Sequence, residues 1–157
     1  MTLFYFDDEI NSFRGEYSWL SNFHKCDCWW EDKLYPSSEH LYQAFKATNE
    51  KDHEFLRNHP FSGLKTFARQ IKIRDDWDEV KYDMMANALM SKFDNNPDLK
   101  AKLVATGDIR IVEGNNWCDS YFGVCSCPKC DKIEGKNNLG ILLMDIRDYF
   151  KDMYNNS

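Results

Sequence analysis

The sequence lacks any apolar run long enough to cross a bilayer. Its first residues, MTLFYFDDEINSF, have no basic segment leading into an apolar stretch, so the pattern of a secretory signal is missing. A basic excess is missing too: 20 Lys and Arg stand against 26 Asp and Glu, for a formal charge of −6. A general nucleic-acid binder needs the opposite balance, whereas a phosphorylated ligand on a local basic cluster stays compatible. There are no repeats, no low-complexity stretches and no linker. The expectation is a soluble, cytoplasmic protein with one domain over residues 1–157, away from any membrane. With 43% hydrophobic residues, it has enough to build a core.

Aromatic residues, by contrast, are plentiful: eleven Phe, eight Tyr and five Trp. A core of this size rarely needs so many Trp, so some rings are expected to line a site. The six cysteines, in a chain without a signal pattern, read as thiols or metal ligands rather than a disulfide framework.

Along the chain, LFYF at 3–6 reads as a strand, and CDCWW and KLYP flank ED at 31–32 as a short hairpin. A helix is expected over 38–49, capped by Ser37 or Ser38, with Glu39 in its first turn. Leu41, Ala44, Phe45 and Thr48 form its apolar face. Glu39, Gln43 and Lys46 return to the opposite face at offsets of four and seven. KDHEFLRN before Pro60 and SGLKTFARQ at 62–70 read as helical, and IKIR at 71–74 as a half-buried strand. A helix over about 78–94 stops at NNPD, where Asn96 caps the next helix and Pro97 opens it. That helix closes at Gly107, IRIVE at 109–113 reads as a strand, and 114–137 as a polar, cysteine-bearing loop. Leu139, Leu142, Leu143, Ile146 and Phe150 define a closing amphipathic helix. The chain is therefore expected to be mainly α, with a few short β-strands.

Several stretches carry chemistry beyond scaffold. SWLSNF at 18–23 sets Trp19 and Asn22 beside a turn. LKTFARQIKIRDDW gathers Lys65, Arg69, Lys72 and Arg74 ahead of Trp77, a grouping suited to phosphate because guanidinium groups make paired charge-assisted bonds to its oxygens. NNWCDSYFG places Asp119 among aromatics, and GKNNLG with Asn137 opens the last helix, where anions can bind. In VCSCPKCDKIE, Cys125, Cys127 and Cys130 have thiolate-metal spacing, with Cys26, Cys28 or Cys118 as a potential fourth ligand. Free thiols are the plainer reading of the same residues.

Seven segments in one order, SWLSNF, YPSSEHLYQAFK, RDDW, MANALMSKF, TGDIRIVE, DSYFG and GKNNLGILLMDIR, resemble the NADAR, or YbiA-like, family. The resemblance runs from about residue 4 to 150. It implies a single-domain, mainly helical YbiA-like fold and an enzyme that cleaves N-glycosidic bonds. Family members act on phosphorylated ribosylamino intermediates of riboflavin biosynthesis, or remove ADP-ribose from guanine in nucleic acid.

Glu39 matches the family's acidic residue in SEH. Lys46 matches a lysine implicated in some members as an amine that attacks the opened ribose. Asp119 completes the implied catalytic set, and Trp77 matches the DW tryptophan. Asn22, Arg69, Arg74 and Asn137 fall on the implied polar lining, while Trp19, Gln43 and Lys65 are expected substrate contacts from their own stretches. The usual YWG is YFG here, at Phe122, and the usual GR is AR, at Ala68. CSCPKC is foreign to the pattern.

The chemistry explains the residue types. Breaking a ribose C1′–N bond requires stabilising positive charge at C1′ and protonating the departing nitrogen. Glu39 can do the first, and a desolvated Lys46 can attack the opened sugar. No cofactor is needed, and a metal at CSCPKC would be structural. Two other classes stay open: a module binding ADP-ribose or NAD without turnover, and a zinc-stabilised interaction protein.

Overall fold

The computed structural model describes residues 9–156, so the strand expected at 3–6 lies outside the described residues. The chain divides into two compact units, residues 22–97 and residues 1–21 with 98–157.

The unit of residues 22–97 begins with a hairpin of β2 (Cys28–Trp30) and β3 (Lys33–Tyr35), antiparallel and joined at Glu31 and Asp32, β1 (Glu9–Ile10) belonging to the other unit. Both turn residues have positive φ, 48° and 65°, the left-handed geometry that a two-residue hairpin needs to follow strand twist. Ser91 Oγ–H donates to Trp29 O (2.7 Å) and ties this hairpin to helix α4 (Trp77–Asp94). Four helices complete the unit: α1 (Ser38–Ala44), α2 (Glu50–Arg57), α3 (Leu64–Ala68) and α4. α1 packs against α2, α3, α4 and both strands, which makes it the centre of the unit. Leu41 and Ala44 are fully enclosed, as their shared face predicts. Burying a leucine such as Leu41 stabilises by about 1.5–3 kcal/mol.

α1 ends at Ala44, five residues before the expected end at 49. Two pulls account for the early stop. The Arg74 N–H donates to Lys46 O (3.0 Å) and Ala47 pairs with Ile73, which draws the chain off the helical path. Asn49 is already committed to the next helix, its Oδ1 accepting from the Asp52 N–H (2.8 Å). Thr48, expected on the apolar face, is consequently exposed. The strand expected at 71–74 is reduced to that single bridge at Ile73. Asn96, directly before Pro97, donates its amide to Lys92 O (2.6 Å) and Asp27 O (2.7 Å), fastening the end of α4 to the start of the hairpin.

In the second unit, β1 (Glu9–Ile10) pairs in parallel with β4 (Arg110–Ile111), and β5 (Gly114–Asn115) with β6 (Val124–Cys125). Two 3₁₀ turns meet at a kink near Tyr17 within Gly15–Leu20. Helix α5 (Pro97–Ala105) opens on Pro97 and closes before Gly107, whose φ of 69° supplies the left-handed end the sequence predicts. Helix α6 (Asn138–Asn155) buries Leu139, Leu142, Leu143, Ile146 and Phe150 and packs on β4. Gly140 makes that approach possible, because a Cβ there would meet Ile111 O at 2.2 Å. The result is mainly helical with short strands.

Candidate functional site

Helix α1 owes its position to three polar side chains at its start. Ser37 is the N-cap, its Oγ accepting from the His40 N–H (3.1 Å). His40 Nε2 bonds His59 O (2.7 Å), so that nitrogen carries the proton and Nδ1 accepts from the Ser37 hydroxyl (2.7 Å). Burial pushes the His40 pKa below its ordinary value, in keeping with a neutral ring. Asn22 secures the other side: its backbone O accepts from the Glu39 N–H (3.0 Å), and its Oδ1 accepts from Ser38 Oγ–H (2.9 Å). Its amide points at Met85 Sδ (3.4 Å). Asn22 is thus buried within the scaffold that fixes Glu39. Asn22→Ala should lower the unfolding free energy by about 1–3 kcal/mol, since Ser38 loses a buried acceptor. Denaturant melts check this; unchanged stability with an altered KM would make Asn22 a substrate contact instead.

Glu39 and Gln43, one helical turn apart, are each 4% exposed. The Gln43 Nε2–H donates to Glu39 Oε2. Its other amide atom, Oε1, is buried with no protein partner among the described residues. A buried carbonyl without a donor is costly, and a substrate hydroxyl would satisfy it.

Lys46 lies beyond α1, in the turn where its N–H donates to Gln43 O (3.0 Å). It therefore does not share a continuous helix face with Glu39, as the spacing suggests. The tight turn nonetheless carries its ammonium 5.7 Å from the Tyr42 ring and 5.5 Å from the Trp77 ring. The two rings are themselves 5.1 Å apart. Burial lowers the Lys46 pKa most; Lys65, Arg69 and Lys81 push the same way, and Glu39 opposes them. One carboxylate, one half-buried amine and three further cations thus share a field.

The basic group predicted for phosphate separates. Lys65 sits 5.3 Å from the Phe23 ring and, like the exposed Arg69, acts on Lys46. Arg74 is committed elsewhere, its Nε and Nη2 donating to the two Asp76 oxygens at 2.6 and 2.9 Å. That pair holds its pKa above the ordinary value. Arg74 also lines a groove of about 400 Å³ with Trp30, Phe45 and His53. Lys72 is exposed. Tyr42 and Lys81 belong to the site although the sequence reading passed over them. The signal was available: Tyr42 with Lys46 and Trp77 with Lys81 are both pairs at an offset of four.

Trp19, Asp119 and Asn137 lie in the other unit. Asp119 Oδ1 accepts from the Tyr121 N–H (3.1 Å) and the Phe122 N–H (2.9 Å), a turn closed by its own carboxylate. The Asn115 amide holds the same turn through Asp119 O (2.9 Å). Phe122 is buried and meets Tyr121 edge to face at 4.7 Å. Asn137 is buried at φ 53°, its Oδ1 accepting from the Glu113 N–H and its Nδ2 donating to Ile111 O, both at 2.9 Å. Trp19 is buried with the Lys102 ammonium 5.9 Å from its ring. Ala68, where the family pattern has glycine, is fully enclosed.

Comparison with known proteins gives this arrangement its setting. The sequence model of the NADAR domain matches residues 4–151. The chain is 35% identical over 136 residues to the N-glycosidase YbiA of Escherichia coli strain K12, covering 85% of this chain and 81% of that one. It is 30% identical over 156 residues to a riboflavin biosynthesis protein of Vibrio vulnificus strain YJ016, covering 95% of this chain and 38% of that protein. The NMR structure of E. coli YbiA superposes with a TM-score of 0.81 at 31% identity, over 96% of this chain and 89% of the other. These likenesses make the protein an enzyme of the glycosidase class with a YbiA-like fold. It belongs to the NADAR family.

Proposed function

We propose that the protein hydrolyses the bond between C1′ of a phosphorylated ribose and a nitrogen leaving group. The observation that carries this reading is the Lys46 amine, whose pKa is lowered by burial beside two aromatic rings and the Glu39 carboxylate. A lowered pKa raises the share of the lysine present as the neutral, nucleophilic amine. In the ring-opened glycosylamine, C1′ is joined to the leaving nitrogen as an imine. The neutral Lys46 amine adds to C1′, and the protonated nitrogen departs, leaving a lysine imine. Water then adds to C1′, and the bond to lysine breaks, giving the sugar aldehyde and the regenerated amine.

Glu39 stabilises the positive charge that builds on C1′ and nitrogen, and Gln43 Oε1 accepts from a ribose hydroxyl. Lys65 and Arg69 receive the phosphate, and Trp77 offers a face to the base or its precursor ring. The proton that the Lys46 amine loses on adding to C1′ passes to the departing nitrogen.

A small phosphorylated ribosylamine of riboflavin biosynthesis is the favoured substrate. The name of the Vibrio relative supports it, and the charge of −6 opposes attraction to polyanionic nucleic acid. The test is parallel incubation with that ribosylamine and with DNA carrying ADP-ribosylated guanine, following release of ribose phosphate or ADP-ribose by mass spectrometry. Release from the ribosylamine supports the favoured reading, and release from DNA alone shifts the substrate to ADP-ribosyl guanine. Saturable binding of ADP-ribose with no release from either would make the protein a binding module.

Phosphate recognition has its own expected result. Arg69→Ala should raise KM about tenfold at low salt while changing kcat little, and the loss should shrink as salt screens the pair. Arg74→Ala should have the smaller effect, because that guanidinium is already held by Asp76. Salt-dependent inhibition by inorganic phosphate, compared across the two variants, checks the ranking.

A further inference from the structure

The loop 114–131 carries a second constellation that glycoside cleavage does not use. The Sγ atoms of Cys118, Cys125, Cys127 and Cys130 all lie within 4.8 Å of one another. From the sequence, Cys26, Cys28 and Cys118 were equal candidates to join the CSCPKC triad; the fold brings in Cys118. Cys26 and Cys28 lie in the other unit and face each other at 3.9 Å.

We propose that these four cysteines form a structural zinc site. Four thiolates at about 2.3 Å from a tetrahedral zinc are separated by about 3.8 Å, close to the spacing already present. The sulfurs converge on one point instead of forming two separate pairs. The backbone is arranged as a thiolate site requires: the Cys118 and Cys127 N–H groups both donate to Cys125 Sγ, at 3.3 and 3.4 Å. Such donors stabilise negative charge on sulfur. Cys127 and Cys130 bracket a 3₁₀ turn, Pro128–Cys130, closed by the Cys130 N–H on Cys127 O (3.0 Å). This turn brings two thiols spaced C-x-x-C to the same side, a spacing common among zinc ligands. Cys118 is held at φ 67° by a segment that Asn115 organises through four hydrogen bonds. Cys125 and Cys130 are buried, whereas Cys118 is exposed, so the ion sits at the edge of the unit with an entry path.

The consequence reaches the neighbouring turn. Cys118 directly precedes Asp119, so a metal at the four sulfurs anchors the start of the turn that Asp119 closes. The site is structural: four sulfurs complete the coordination and leave no position for water or substrate.

The test is elemental analysis of the intact, tag-free chain after expression in zinc-supplemented medium. One zinc per chain is expected, released as an organomercurial derivatises Cys118, Cys125, Cys127 and Cys130. Cobalt in its place should give the thiolate-to-cobalt charge-transfer band of a tetrahedral sulfur site. Cys127→Ser should lose tight metal, while Cys26→Ser retains it. Hydrogen exchange should quicken in 114–131 on zinc removal and stay unchanged in 22–97. If Cys127→Ser fails to fold, the cobalt spectrum of the unaltered chain decides. Metal far below one per chain, or disulfides among these cysteines in protein purified under reducing conditions, would overturn the assignment.

Discussion

Glu39→Gln should keep the fold and lower kcat by about 10²–10³, the usual loss when a preorganised charge is removed from a developing transition state. The fold survives because each contact of the residue tolerates the change. Its N–H still reaches Asn22 O, and the new amide oxygen can still accept from Gln43 Nε2. What disappears is the negative charge opposite Lys46 and the emerging cation. Steady-state kinetics beside a thermal melt would measure both consequences. Turnover within a few-fold of the parent protein, with an unchanged melt, would reduce Glu39 to the capping carboxylate that its first-turn position also suits.

Lys46→Arg should lose comparably. Arginine keeps the charge but cannot act as a neutral nucleophile. In the unaltered protein, borohydride added during turnover should reduce the lysine imine and leave a sugar mass on the peptide containing residue 46. An active Arg variant with no trapped adduct would end the covalent mechanism and leave charge stabilisation by Glu39 as the main contribution of this helix.

The pH profile carries a sign that follows from the lowered Lys46 pKa. Below that pKa the amine is protonated and inert, so kcat/KM should rise with pH through a value under the ordinary 10.5 of lysine. Folding responds in the same direction. Between the folded and unfolded pKa values the unfolded chain binds more protons, so this group's contribution to stability increases as pH rises across that window.

The local features of this fold were legible in the sequence. The ED turn, Pro97 and Gly107 around α5, and the apolar face of α6 each act within a few residues, where spacing and backbone preference decide. The end of α1 was hidden because the groups that stop it, the Arg74 N–H and Ile73, arrive from nearly thirty residues away. The parallel pairing of Glu9–Ile10 with Arg110–Ile111 was hidden for the same reason.

At the site, residue types were easier to read than allegiances. Glu39, Gln43, Lys46, Lys65, Arg69 and Trp77 fall in one unit, with Lys46 under the charges of Glu39, Lys65 and Arg69. Asn22, Arg74 and Asn137 are polar residues whose hydrogen bonds go to the protein itself. Nothing in an Asn or Arg codon announces whether its donors are already spent.

The closeness of Trp77 to the Lys46 ammonium has an optical consequence. An indole excited beside a positive charge emits at a wavelength that depends on the local field, and at 5.5 Å that field is strong. Losing the proton, or converting the amine to an imine, therefore changes the light this ring returns. Trp29, 48% exposed, supplies a solvent-like background against which that change can be separated by quenching. The enzyme carries its own chromophore within reach of the atom proposed to react, and stopped-flow emission can follow that atom through a turnover without any label.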